Sequence, residues 1–113
     1  MRESEVILQE IVSYIDDNIT TKLTVENIAA HCYLSQTYLQ CLFKQQYGIP
    51  LAEYVRKRRM KRSMELLATE KRVSDIAYDI GFEHESSFIR SFKREFGMTP
   101  GEARRKLRRK KAQ

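Results

Sequence analysis

Glycine and proline are scarce, with four Gly and two Pro in 113 residues. That is too few for the turns of a many-stranded β-protein or for a disordered low-complexity segment, so an all-α fold is expected. The two cysteines, Cys32 and Cys41, stand nine apart and make neither a disulfide framework nor a zinc-ligand spacing. Both are expected to be free, reduced thiols. No stretch approaches the roughly 20 apolar residues of a membrane span. The charged start Met1-Arg2-Glu3 has no apolar signal-peptide segment behind it, so a cytoplasmic chain without membrane contact is expected. Histidine is limited to His31 and His84, which with two scattered thiols form no converging catalytic set. There is no Gly-rich phosphate loop, His-Glu-x-x-His pair or nucleophile elbow. Neither an enzyme nor a metal or other cofactor is expected.

What the chain does have is positive charge and apolar periodicity. Its length suits one compact domain or two very small ones, and the 42% hydrophobic share is enough to build a core. A formal net charge of +6 and a pI of about 9.5 point to an anionic partner. Residues 1–30 hold Arg2 and Lys22 against Glu3, Glu5, Glu10, Asp16, Asp17 and Glu26, a net of −4, which leaves +10 on residues 31–113. This polarity suits a body that docks one side on a polyanion; a solvated charged surface is the plainer reading.

A repeat organises the chain. Val25-Glu26-Asn27-Ile28-Ala29-Ala30-His31-Cys32 matches Val73-Ser74-Asp75-Ile76-Ala77-Tyr78-Asp79-Ile80 at a shift of 48, with all four apolar places coinciding. Leu39, Phe43, Lys44, Tyr47 and Gly48 then match Phe88, Phe92, Lys93, Phe96 and Gly97 at a shift of 49, so the second copy has one more residue between its halves. Each copy reads as two short helices. Thr24 is placed to cap the first, whose Val25, Ile28, Ala29 and Cys32 follow helical spacing. Tyr33 and Leu34 make the turn, Ser35 caps the next helix, and Leu39, Leu42, Phe43 and Tyr47 form its apolar stripe up to Gly48. In the second copy Ile76, Ala77 and Ile80 pack the first helix, Gly81-Phe82 turn, and Phe88, Phe92 and Phe96 pack the next as far as Gly97.

Helix, tight turn and helix make a helix-turn-helix, whose usual use is to insert the second helix into a DNA major groove. One such hairpin is more often plain structure; two matched copies in a basic chain point to DNA. Between them, Leu51 to Thr69 has no Gly or Pro, and Ala52, Val55, Met60, Ser63, Leu66 and Leu67 share one helical face. That connector would be about 28 Å long at 1.5 Å per residue, near the roughly 34 Å between successive major grooves on one DNA face. In front, Leu8, Ile11, Val12, Ile15 and Ile19 read as a helix closing the first core. Seven helices are expected, the last a short one near Pro100 to Leu107. The expected division is a first helix-turn-helix subdomain at 1–50, the connector helix at 51–69, a second subdomain at 70–103 and a basic tail at 104–113.

At Asp75-Ile76-Ala77-Tyr78-Asp79-Ile80-Gly81-Phe82-Glu83, then Ser87-Phe88-Ile89-Arg90-Ser91-Phe92-Lys93-Arg94-Glu95-Phe96-Gly97 and Thr99-Pro100, the chain resembles the DNA-binding domain of the AraC/XylS family of bacterial transcription regulators. The resemblance covers nearly all of it. In length and starting helix it is similar to the small stand-alone, multiple-antibiotic-resistance type of activator, whereas most family members carry this domain behind a ligand-binding or receiver domain. The resemblance implies a bacterial DNA-binding regulator in the nucleoid, with activation through RNA polymerase, and the tandem arrangement of the two motifs in one chain points to a monomer on an asymmetric site. It places the two second helices in successive major grooves. Gln36, Thr37, Gln40 and Cys41 would then face bases from the first, and His84, Glu85, Ser86 and Arg90 from the second. Gln pairs with adenine, a Thr methyl packs on a thymine methyl, Glu accepts from a cytosine amino group, and Arg forks onto guanine. Many members carry Arg where this chain has Cys41, so a guanine-reading fork is missing from the first helix.

For phosphate contact the candidates are Ser35, Lys44, Arg56, Ser87, Lys93 and Arg94. Lys44 and Lys93 would equally suit the C-terminal dipoles of their helices, and the stem of Arg56 would equally cover the core. Arg58, Arg59, Lys61 and Arg62 read as solvating the connector's outer side. Cys32, matched by Ile80, reads as core, and an outward Cys41 leaves a redox-responsive regulator as an alternative. A helical protein-interaction module is the rival from another class, distinguished by weak salt dependence. The run Arg104-Arg105-Lys106-Leu107-Arg108-Arg109-Lys110-Lys111 reads as electrostatic affinity beside the main site, or as a nonspecific RNA- or membrane-surface tail.

Overall fold

The computed structural model describes residues 3–21 and 23–112, with side chains through residue 110. Met1 and Arg2 of the charged start, Lys22, and Gln113 at the end of the expected tail lie outside the described residues. Among the described residues there are seven helices and no strand: α1 Ser4–Asp17, α2 Val25–His31, α3 Gln36–Tyr47, α4 Leu51–Leu67, α5 Val73–Asp79, α6 Glu85–Phe96 and α7 Pro100–Ala112. They fall into two compact units, one ending at Arg56 and the other starting at Lys57, so the division lies inside α4.

In the first unit the buried side chains Ile7, Leu8, Ile11 and Ile15 line one face of α1 and pack on Ile28, Ala29, Cys32, Leu39, Phe43, Leu51 and Val55. Ile19 joins them from a turn. The expected helix stops earlier because the Asn18 amide side chain donates to the Tyr14 carbonyl at 2.9 Å and the Thr21 hydroxyl to the Asn18 carbonyl at 2.8 Å. Val12 is only half-buried.

The paired helices of the first unit are capped as their sequence predicts. The Thr24 hydroxyl accepts the Asn27 amide at 3.0 Å, and the Ser35 hydroxyl accepts the Tyr38 amide at 3.1 Å. Between α2 and α3 the Tyr33 amide donates to Ala30 at 3.3 Å and the Leu34 amide to Ala29 at 2.9 Å. Between α5 and α6 Gly81 donates to Tyr78 at 3.1 Å and Phe82 to Ala77 at 3.0 Å. This double bond pattern is the Schellman motif, which needs a left-handed residue after the helix. Tyr33 supplies it at φ 58 and Gly81 at φ 92. Tyr33 lies 90% exposed, while a Cβ at Gly81 would stand 3.1 Å from the guanidinium carbon of Arg59.

Arg59 therefore does not simply solvate α4. The space left by Gly81 admits its half-buried guanidinium, and desolvation there pushes its pKa below the ordinary arginine range. Two further expectations are corrected. Tyr47 is 43% exposed, because Phe43 and Tyr54 already fill the space beneath it and its ring leans on theirs at 4.6 and 5.7 Å. Leu42 is half-buried. On α4, Ala52 is exposed and Leu66 half-buried; the buried line is Leu51, Val55, Met60, Ser63 and Leu67. The Ser63 hydroxyl satisfies itself on the Met60 carbonyl at 2.6 Å.

In the second unit Phe88 and Phe92 meet edge to face at 5.7 Å, with Phe82 and Phe96 flanking them, over Met60, Leu67, Ile76, Ala77, Ile80 and Ala103. Thr99 caps the start of α7: its hydroxyl accepts the Glu102 amide at 3.2 Å and donates to the Glu102 carboxylate at 3.1 Å. Pro100 occupies the first helical position, where it loses no hydrogen bond. The final helix is not short. It runs through the supposed tail to Ala112, because Ala, Arg, Lys and Leu are strong helix formers and no Gly or Pro follows Gly101.

Two glycines give a stability test of opposite sign. Gly97, at φ 73 with nothing within 4 Å of an added Cβ, should lose about 1–2 kcal/mol on Gly97→Ala from backbone strain alone. Gly101 has an ordinary φ and equally open surroundings, so Gly101→Ala should gain about 0.4–1 kcal/mol. Urea midpoints of the two variants should move apart from wild type in opposite directions.

Candidate nucleic-acid interface

On α3, Leu39 and Phe43 are fully buried, which fixes the rotation of the helix. Gln36, Thr37, Gln40, Cys41 and Lys44 are all exposed, and their spacing of one, three, one and three residues keeps them on one outward face. Apart from Lys44 this face carries amide, hydroxyl and thiol groups without formal charge. It has both donors and acceptors to offer a base edge. Ser35 is exposed at the start of α3, its oxygen occupied by the Tyr38 amide. Tyr38 itself is 45% exposed beside the predicted readers, and sequence reasoning did not single it out. The repeat held the signal, since the position equivalent to Tyr38 is the polar Ser87.

α6 repeats the arrangement with different chemistry. Phe88 and Phe92 anchor it, and Glu85, Ser86, Arg90, Lys93 and Arg94 are exposed, while Ser87 and Ile89 are half-buried. His84 occupies the N-cap position, exposed, with no side-chain cap. Glu85 lies in the first turn and Lys93 and Arg94 in the last, as Lys44 does on α3, so each complements the helix dipole while remaining accessible. Arg90 occupies the place that Cys41 has on α3 and has no ion-pair partner among the described residues.

The structure thus gathers the predicted readers into one outward face per unit. Arg56 belongs to neither. It lies on α4, half-buried, with its guanidinium held by both carboxylate oxygens of Glu53 at 3.2 and 2.5 Å. Its charge is compensated within the helix, unlike that of Arg90.

An open depression of about 490 Å³ beside α1 is lined by Gln9, Glu10, Ser13, Asp17 and the stacked rings of Tyr14 and His31, 4.1 Å apart, and holds none of the predicted site residues. Among the described residues no group of three or more His, Cys, Asp or Glu could hold a metal ion, and no helix is long and apolar enough to cross a membrane.

Residues 28–106 match the model of a helix-turn-helix domain family. The chain is 36% identical over 102 residues to regulatory protein SoxS of Salmonella typhimurium, covering 89% of this chain and 95% of SoxS. It is 37% identical over 95 residues to the HTH-type transcriptional activator AarP of Providencia stuartii, covering 83% and 70%. An AraC-type DNA-binding regulator from Chromobacterium violaceum superposes with a TM-score of 0.86 at 31% identity, over 92% and 94% of the two chains. The chain belongs to the AraC-type helix-turn-helix family of transcription regulators. The family match in this AraC-type chain runs from inside α2 to inside α7 and contains every candidate base reader on α3 and α6.

The two thiols report the rotation of α3. Cys32 is 1% exposed and Cys41 is exposed. An alkylating reagent applied to the native protein should label Cys41 at least tenfold faster than Cys32, read by peptide mass mapping, a ratio set by exposure. Equal rates in the folded protein would contradict the orientation of the first motif.

Proposed function

We propose that this AraC-type chain is a sequence-specific regulator of transcription that binds double-stranded DNA as a monomer, with α3 and α6 laid in adjacent major grooves of one duplex. The observation that carries this reading is the doubled construction: two helices of equal length, each pinned through a buried pair one turn apart, Leu39 and Phe43 or Phe88 and Phe92, each presenting its opposite face to solvent. Gln36, Thr37, Gln40 and Cys41 read bases in one groove, and His84, Glu85, Ser86 and Arg90 in the next. Lys44, Lys93 and Arg94, with the Ser35 and Ser87 hydroxyls, hold phosphates and set the register. Arg56 would join them only by leaving Glu53.

The two motifs follow one another in a single chain, so the site they recognise is asymmetric and needs no dimer twofold. Regulation through contact with RNA polymerase, in the activating sense that the name of AarP carries, is the mode proposed for this chain. Its work is binding without catalysis, on bacterial DNA in the cytoplasm.

Selection of bound sequences from random duplexes should return an asymmetric site that one protein molecule occupies, with affinity falling steeply as salt rises. A two-to-one complex on a strict palindrome, or salt-independent binding to a protein instead, would contradict the reading. On the selected site Arg90→Ala should cost about 1–3 kcal/mol and relax preference at one base pair. Lys93→Ala should weaken selected and scrambled duplexes alike and reduce the salt slope by about 1.

A further inference from the structure

The cations of α7 are sorted by the fold into two groups. Arg104 is half-buried and donates through Nε to the Leu67 carbonyl at 3.2 Å and through its terminal nitrogen to the Lys71 carbonyl, closing the C-terminal end of α4. Arg108, one turn on, reaches Glu70 at 3.4 Å. Arg105, Lys106, Arg109 and Lys110 are different: all four are exposed, and none has an anionic partner among the described residues. They pair one helical turn apart, 105 with 109 and 106 with 110, and so form a continuous cationic face in which like charges repel. The helix dipole favours Arg109 and Lys110 near the C-terminus but does nothing for Arg105 and Lys106 in mid-helix. The one carboxylate of α7, Glu102, is engaged by the Thr99 hydroxyl.

We propose that this face of α7 is a second, sequence-independent DNA site that grips the phosphate backbone of the duplex and supplies nonspecific affinity apart from base reading. The proposal rests on the DNA-binding reading of α3 and α6. A polyanion relieves the repulsion along the face, and a backbone of closely spaced phosphates matches cations about 6 Å apart along the helix axis. An anionic membrane is a poorer fit. A helix that lies in a lipid surface needs an apolar face to bury there, and that of α7 is already used, with Ala103 and Leu107 packed in the second core.

The test is a quadruple variant, Arg105→Gln, Lys106→Gln, Arg109→Gln and Lys110→Gln, in the full chain, compared with a control, Lys57→Gln and Lys61→Gln, that neutralises exposed cations of α4. Wild type, variant and control are titrated with the selected duplex, a scrambled duplex, a single-stranded RNA and anionic phospholipid vesicles, over a range of salt. The quadruple variant should keep its helical circular dichroism and a melting temperature no lower than wild type. It should lose about 10–100-fold in affinity for both duplexes alike, lower the salt slope by about 2–3, and keep the base preferences of the selected site. Unchanged duplex affinity in the variant would overturn the proposal while leaving base reading by α3 and α6 intact. So would a loss confined to RNA or vesicles, or an equal loss per charge in the control. Failure of wild type to bind any duplex would instead remove the DNA-binding reading beneath it.

Discussion

In each unit the polypeptide reverses between its paired helices through the same two backbone hydrogen bonds, closed by one residue in the left-handed conformation. The Leu34 and Phe82 amides reach back to Ala29 and Ala77, and this bond sets the direction in which the second helix departs. Everything on the outward face depends on that departure. Once α3 and α6 leave at that angle, Leu39 and Phe43, or Phe88 and Phe92, fall on the core, and Gln40, Cys41 and Arg90 between them face solvent. The two copies meet the left-handed requirement differently. A tyrosine tolerates it by lying almost wholly exposed, and a glycine adopts φ 92, well beyond the usual range for a side-chain-bearing residue.

That difference propagates. The missing side chain at Gly81 makes room for the Arg59 guanidinium, so a cation of the second unit becomes part of its packing. On α3 the outward face carries Lys44 as its one charge, whereas α6 carries Arg90, Lys93 and Arg94 beside Glu85. Under the proposed reading, Cys41 in the place of Arg90 would leave discrimination by the first helix to amide and hydroxyl groups, suited to adenine and thymine edges, and Arg90 would suit the second to guanine.

The arginines also show why net charge alone says little about where a polyanion binds. Arg56 is committed to Glu53, Arg62 to Glu65, Arg72 to Asp75, and Arg104 to carbonyls at the end of α4. Lys71 is paired with Asp79. Such exposed pairs add little to stability, yet they withdraw local positive potential. Among the described residues, most of the cations without an ion pair lie on α6 and α7, with Lys44, Lys57 and Lys61 elsewhere, a distribution that counting bases cannot give.

Much of this was legible in the sequence because it is local. Helical periodicity, Ser and Thr caps, terminating glycines and an internal repeat are all decided within a dozen residues, and they located the helices, both turns and the pairs Leu39 and Phe43, Phe88 and Phe92. The match of Cys32 to Ile80 identified a buried thiol from the repeat alone. Where expectation and structure part, packing intervened in most cases, although α1 stops short through the local bonds of Asn18 and Thr21. Tyr47 was displaced outward by Tyr54, Ala52 gave way to Leu51 once α4 met the first core, and Arg59 was drawn inward by Gly81. The basic run after Ala103 became an ordered helix as Ala103 and Leu107 packed on the second core and Arg104 bridged to Leu67, 37 residues earlier. The sequence by itself determined which segments are helical and which side of each is apolar, since both follow from the order of neighbouring residues. Only the tertiary structure decided which cations are tied up and which face solvent, because a long charged side chain takes whichever partner the packed backbone brings within reach.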